Sequence, residues 1–272
     1  MTTPSSAEVT ELRDLCIEIA REAGSYAHGE RRSLGSGRRM VHDTKSSDVD
    51  PVTEFDKATE VLVVERIRAA RPDDSIVGEE GADHQGTSGF EWHVDPIDGT
   101  VNYVYDLPGW CTSIGVVHDG GPVAGAVYAP TVDEVYGAGL GLGATINGAP
   151  LAVSDVTDMS TSLAATGFSY HRDEHRVAQA ERVARVLPNV RDIRRQGSAA
   201  LDLAYVASGR VDSYFEEFIN SWDVVAGVLL VTEAGGVVTA FDGAPLDVTE
   251  PHGLVAAGAS LHPQILRSIS HI

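Results

Sequence analysis

Three places along this 272-residue chain put carboxylates where a surface charge would be awkward. At Gly78-Glu79-Glu80-Gly81 two adjacent acids follow an apolar run and lie between glycines, so one carboxylate can turn into a site while its neighbour faces away. At Asp95-Pro96-Ile97-Asp98 the proline holds its own φ near −65° and biases Asp95 toward extended backbone, which bends the chain stiffly and lets both aspartates converge. At Ser221-Trp222-Asp223 an aspartate stands at the first position of an apolar helical run in the other half of the chain, where a simple N-cap is an equally good local reading. Two ionised carboxylates a few ångströms apart repel, and the usual remedies are a shared proton or a metal ion. All the donors are hard oxygens and no Cys or His joins them, which favours Mg²⁺ or Mn²⁺ over zinc. Gly99-Thr100 then opens a helix whose free N–H groups would face an anion, so phosphate is the natural ligand.

The elements that must position these acids are legible from periodicity. Val9, Leu12, Cys16, Ile19 and Ala23 recur at helical steps, predicting a helix over 7–23 that stops at Gly24. The segment 30–42, rich in arginine and glycine, reads as a mobile, solvated connection. A second helix is predicted from Thr53 or Glu54 to Ala70, capped by Thr53 and followed by Pro72. Strands follow at 75–77, 92–94, 112–117 and 123–128, the last two joined around Gly120 and Gly121, predicting a largely antiparallel sheet. The glycines at 137, 139, 141 and 143 lack the helix a dinucleotide fingerprint needs and run instead into Asn147-Gly148, a hairpin-turn signal. Beyond 155 the chain alternates: strands near 163–166, 190–194, 211–215 and 237–240, and helices over 173–187, 198–208 and 223–234. This rhythm predicts an N-terminal α+β portion, 1–154, carrying most of the acids, and a C-terminal α/β portion, 155–272, contributing Asp223 and substrate contacts.

Composition limits the function. With 40 acidic against 20 basic residues the formal charge is −20, which argues against binding nucleic acid or an anionic membrane surface. Two cysteines, Cys16 and Cys111, are too few for a disulfide framework or a cysteine zinc site and suit a reducing cytosol. The opening residues carry no basic and apolar signal pattern, and the longest apolar run, 224–231, is far short of the about 20 residues a bilayer needs. A cytoplasmic protein is expected.

The run from Trp92 to Tyr103, together with Gly78-Glu79-Glu80, Trp222-Asp223 and the Glu233-Ala234-Gly235-Gly236 end of the last helix, resembles the inositol monophosphatase family of Mg²⁺-dependent, lithium-sensitive phosphatases. Order and separations match along almost the whole chain, from Asp50 to Gly236. The resemblance implies an alternating, layered α/β/α/β/α fold with the site between its two halves, and two or three Mg²⁺ ions held by Glu79, Asp95, the carbonyl of Ile97, Asp98 and Asp223. It assigns water activation to Glu79 and Thr100, with Asp50 orienting Thr100 and Lys45 steadying the loop before it. Contacts to substrate fall to Asp98, Gly99, Thr100, Ala199, Glu216 and Asp223, carboxylates suiting a polyol because each accepts two hydroxyl donors. Asn102 and Tyr103 resemble the branch acting on inositol phosphates, and a homodimer is usual in the family. Glu217 and Phe218 replace small or flexible residues, and Val225 stands where a small residue is common, which leaves pocket shape open. The implied activity is hydrolysis of myo-inositol 1-phosphate and related polyol or sugar phosphates. Fructose 1,6-bisphosphate, NADP or histidinol phosphate hydrolysis on the same scaffold, or a regulatory binding role, are the alternatives.

Overall fold

A computed structural model describes residues 3–35, 43–44, 51–169 and 174–270. Helix α1 (Ser6–Ser33) leads into a short antiparallel pair, β1 (Asp43–Thr44) and β2 (Pro51–Val52), and then helix α2 (Glu54–Ala70). Next come β3 (Ser75–Gly78), β4 (Phe90–Asp98), helix α3 (Thr100–Tyr105), β5 (Cys111–His118), β6 (Gly121–Ala129), β7 (Glu134–Gly139), β8 (Gly143–Ile146) and β9 (Ala149–Pro150). Strands β3 to β9 form one seven-stranded sheet in sequence order, parallel between β3 and β4 and antiparallel elsewhere. The second half supplies β10 (Leu163–Thr166), α4 (Glu174–Val186), β11 (Asp192–Arg194), α5 (Ala199–Ala207), β12 (Ser213–Glu217), α6 (Ser221–Glu233), β13 (Gly236–Ala240), β14 (Gly253–Gly258) and α7 (His262–Ile269). Its five strands form a mixed sheet in the order β11-β10-β12-β14-β13.

The layers follow from side-chain alternation at period two along each strand. On β6, Ala124, Ala126 and Tyr128 join the core under α1 and α2, while Val127 and Ala129 join a second core with α5 and α6. On β14, Leu254 and Ala256 enter that second core, and Val255 and Ala257 face a third with α7. Helices α5 and α6 are thus sandwiched between the two sheets, giving the α/β/α/β/α stacking. A helix covered on both sides must be apolar all round, and α6 from Val224 to Val231 is.

Two boundaries differ from the sequence expectation. Helix α1 does not stop at Gly24 but continues to Ser33, because a Cβ at Gly24 would lie 2.7 Å from the Tyr128 ring, so glycine is there for close packing against β6. Consequently Arg31, expected in a solvated connection, is 2% exposed and donates from Nε to the Tyr103 carbonyl at 2.8 Å. The rest of that connection, 36–42, lies outside the described residues. Helix α6 begins at Ser221, so Asp223 is not its first residue or its cap: Asn220 is the N-cap and Asp223 closes a capping box from the third position. The other predicted elements fall within a few residues of expectation, including the Asn147-Gly148 hairpin turn, both of whose residues have positive φ, whereas β1, β2, β7, β14 and α7 had no counterpart in the sequence expectation.

Val225 is fully buried opposite a glycine that makes room for it. A Cβ on Gly115 of β5 would lie 2.4 Å from Val225 Cγ1 and 2.8 Å from the Ala226 nitrogen. Gly115→Ala is therefore expected to destabilise the protein by about 1–3 kcal/mol, the usual cost of overfilling a core. Urea unfolding at 25 °C measures it, and an unchanged midpoint would mean that α6 can withdraw from the sheet.

Candidate active site

The parallel register of β3 on β4 pairs Gly78 with Val94, so the residues that follow, Glu79 and Asp95, emerge side by side at the same sheet end. The Glu79 nitrogen continues the ladder by donating to the Val94 carbonyl at 3.1 Å. Between Asp95 and Asp98 the pairing of β4 with β5 shifts register, the irregularity expected where a strand re-aims its side chains. Both aspartates are buried, and the first turn of α6 brings Asp223 to them from the other half of the chain. Asp95, Asp98 and Asp223 each offer a carboxylate oxygen, all within 4.8 Å of one another.

Each acid is tied by hydrogen bonds that favour its ionised form. Asp95 Oδ1 accepts from the Ile97 nitrogen at 2.9 Å. Asp98 Oδ2 accepts from Ser198 Oγ and from the Ala200 nitrogen, both at 2.7 Å, at the start of α5. Asp223 Oδ2 accepts from the Asn220 nitrogen at 2.7 Å. These contacts do not overcome burial and mutual repulsion. Burial first, then the Glu79, Asp98 and Asp223 charges, push the Asp95 carboxyl well above the ordinary range. Burial and the charges of Asp98 and Glu79 do the same to Asp223. Asp98 is pushed up to about 6 by burial, moderated by Ser198, Ala200, Ala199 and Arg195. A set of hard carboxylate oxygens in this condition fits a divalent cation, whose charge would relieve the repulsion.

The cluster lines a cavity of about 610 Å³ that also meets Gly99, Thr100, Ala199 and Glu216, so the described candidates from the sequence come together. Gly99 takes φ 97°, left-handed backbone, just before α3 begins at Thr100. Asn102 and Tyr103 do not face the cavity. Asn102 Nδ2 ties the Gly109 carbonyl at 2.5 Å to the Gln196 carbonyl at 2.7 Å, linking the two halves, and Tyr103 donates to the Ala27 carbonyl at 2.8 Å. Glu216, which also lines the cavity, shares one face of β12 with Tyr214, whose hydroxyl donates to Glu216 Oε2. Gly167 is close enough that any Cβ there would overlap that carboxylate. Burial pushes Glu216 up to about 7, held back by Tyr214 and Arg195. Phe218, at φ 60° and exposed, lines the cavity mouth and stacks on His175 with ring centroids 4.0 Å apart, whereas Glu217 turns away to Arg182.

Asp50 and Lys45 lie outside the described residues. Among the described ones it is Asp56 that meets Thr100. The Thr100 hydroxyl lies 3.2 Å from Asp56 Oδ1 and 3.1 Å from the Ile97 carbonyl, while the other Asp56 oxygen accepts from the Thr53 nitrogen at 2.8 Å and from the Thr53 hydroxyl. Sequence reasoning missed this acid although the Thr53-to-Asp56 capping-box spacing was visible, because the box accounts for one oxygen and only the tertiary fold supplies Thr100 to the other. It likewise missed Ser198 and Arg195, which lie beside Asp98 only once α5 is docked.

A family model described as the inositol monophosphatase family matches residues 8–272. Inositol-1-monophosphatase SuhB of Mycobacterium tuberculosis is 43% identical over 253 residues, spanning 88% of this chain and 86% of that protein. Nus factor SuhB of Pasteurella multocida is 39% identical over 258 residues, 94% of each. The solved structure of the inositol monophosphatase from Anabaena superposes with a TM-score of 0.83 at 38% identity, covering 96% of each chain.

The raised carboxyls have a consequence for stability. Asp56 and Asp98, both pushed up to about 6, and Glu216, up to about 7, hold protons in the folded state that the unfolded chain releases near pH 4, as do Asp95 and Asp223. Where the folded state binds more protons, unfolding becomes easier as pH rises. In chelator, the Tm should fall between pH 5 and pH 8, and Asp95→Asn should flatten that fall while Asp119→Asn, at an exposed turn, should not. Circular dichroism melts at four pH values decide it; a flat or rising Tm would contradict the cluster's electrostatics.

Proposed function

The chain belongs to the inositol monophosphatase family, and on that premise we propose that it is a Mg²⁺-dependent phosphomonoesterase hydrolysing myo-inositol 1-phosphate and related polyol phosphates. The observation that carries the reading is the convergence of Asp95, Asp98 and Asp223 in the wall of a cavity that Glu216 also lines. Asp95, Asp98, Asp223, Glu79 and the Ile97 carbonyl would hold the cations. Bound there, Mg²⁺ would neutralise the cluster, attract the phosphate oxygens and lower the pKa of an attacking water.

The protein's own groups do the positioning. Glu79, which lines the same cavity from the end of β3, accepts a proton from the attacking water in this reading. Thr100, its hydroxyl set between Asp56 and the Ile97 carbonyl, orients the same water through its lone pairs, with Asp50 the family's further candidate for steadying it. Water oxygen bonds to phosphorus as the bond to the alcohol oxygen breaks on the opposite side, and the departing oxygen takes up a proton from solvent to leave as the alcohol while Glu79 returns its own to solvent. Asp98, Gly99, Ala199, Glu216 and Asp223 surround the space for that alcohol, and the carboxylates accept its hydroxyls. Without a cation the cluster offers a phosphomonoester no positive charge, so cation occupancy governs binding as well as turnover. The reading carries with it a cytoplasmic homodimer; none of the described helices is long and apolar enough to cross a membrane.

The test is a turnover panel with Mg²⁺: inositol 1-phosphate, fructose 1,6-bisphosphate, histidinol phosphate, NADP and adenosine 3′,5′-bisphosphate. Inositol 1-phosphate should have the highest kcat/KM. Asp95→Asn should lower it by about 10³-fold or more, the scale of several kcal/mol of charge stabilisation. Glu79→Gln should reduce kcat with a smaller change in KM; normal turnover in that variant would remove Glu79 from the water-activating role. Preference for another ester in the panel would reassign the substrate, and no turnover on any would leave a non-catalytic role.

A further inference from the structure

Helix α2 carries two buried acids one turn apart, Asp56 and Glu60, on the same face. Asp56 meets Thr100. Glu60 is 2% exposed, does not line the cavity, and has no part in the chemistry described above. Its two oxygens accept separate backbone donors: Oε2 from the Glu80 nitrogen at 2.8 Å and Oε1 from the Ala82 nitrogen at 3.0 Å. The carboxylate reaches them only because residue 78 is glycine, since a Cβ there would lie 2.6 Å from Glu60 Oε2. Glu79 is therefore fixed from both sides. Upstream its nitrogen is in the ladder to Val94, and downstream the turn through Gly81, at φ 93°, is anchored on Glu60.

We propose that Glu60 is a positioning residue for the acidic cluster: by holding the Glu80 and Ala82 N–H groups it sets the turn after β3 so that Glu79 faces Asp95, and thereby sets the affinity of the cluster for a divalent cation. The inference rests on the metal-binding reading of the site. A carboxylate suits this task because it offers two acceptor oxygens at fixed spacing, and bonds from N–H to an ionised acceptor are stronger than neutral ones. Glutamine keeps the shape but turns an NH₂ group toward one of the two backbone donors. Aspartate keeps the charge but falls one methylene short. Neither should preserve the two-point hold, although both leave α2 a helix.

Mn²⁺ binding by isothermal titration calorimetry, checked by the electron paramagnetic resonance signal of free Mn²⁺, compares wild type with Glu60→Gln and Glu60→Asp. Both variants should bind Mn²⁺ about 10- to 100-fold more weakly, the scale for groups that orient metal ligands without touching the metal. The Mg²⁺ concentration giving half-maximal phosphate release should rise in parallel, while kcat and KM at saturating Mg²⁺ stay within about threefold. Circular dichroism of the metal-free proteins establishes that they are folded. A folded variant with a lowered Tm but wild-type Mn²⁺ affinity would show Glu60 to be merely structural and overturn the proposal. Wild-type protein that takes up no Mn²⁺ would instead overturn the reading of the cluster itself, and this proposal with it.

Discussion

Asp95, Asp98 and Asp223 sit with oxygens inside 4.8 Å, and Glu79 adds a fourth charge from the neighbouring strand end. Left ionised and without a cation, such a group pushes itself apart, since like charges in a poorly solvated pocket interact far more strongly than in water. The fold has to hold it together by other means. Ile97, Ala200 and Asn220 each turn a backbone N–H toward one of the three aspartates, and Ser198 adds a hydroxyl. These bonds come from β4 and from the N-terminal ends of α5 and α6, so keeping the acids converged requires the seven-stranded sheet and the two helices packed against it.

The same constraint explains details of packing that lie away from the acids. Helix α6 must approach β5 closely to deliver Asp223, and at Gly115 that approach leaves no room for a Cβ against Val225. Gly167 plays the corresponding part for Glu216, and Gly78 for the Glu60 carboxylate. Each glycine removes a Cβ where an acid or a helix must come within contact distance of a strand. The cost in backbone freedom is small beside that of misplacing a carboxylate in a cluster of four.

The net charge of −20 now separates into two kinds of acid. A few are buried, with raised pKa values, and gathered round one cavity; most of the others are solvated. The cavity also contains Arg195, which lowers both Asp98 and Glu216 and lies within 6.0 Å of the Phe168 ring centroid. Recognition of an anionic ester therefore depends on a local balance of charge that differs from the average over the molecule.

Much of this was legible in the chain. Period-two strands, the capped helix at Thr53 and the Asn147-Gly148 turn are set by local propensity and sterics, which neighbours in sequence suffice to specify. The stiff Asp95-Pro96-Ile97-Asp98 segment likewise identified two of the clustered acids, because proline geometry is local. What lay beyond reach were relations between distant segments. Gly24 reads as a stop in one dimension and is a contact with Tyr128 in three. Asp223 reads as a cap, yet the capping box leaves it free to face Asp98 from across the molecule. Asp56, Glu60, Ser198 and Arg195 are ordinary residues on ordinary helices and loops until docking places them beside Thr100, the turn after β3 and Asp98. Sequence determined which groups could do chemistry, since that is a property of side-chain type and local backbone. Only the tertiary structure decided which of them share a charge, because repulsion and hydrogen bonding act over a few ångströms and take no account of separation along the chain.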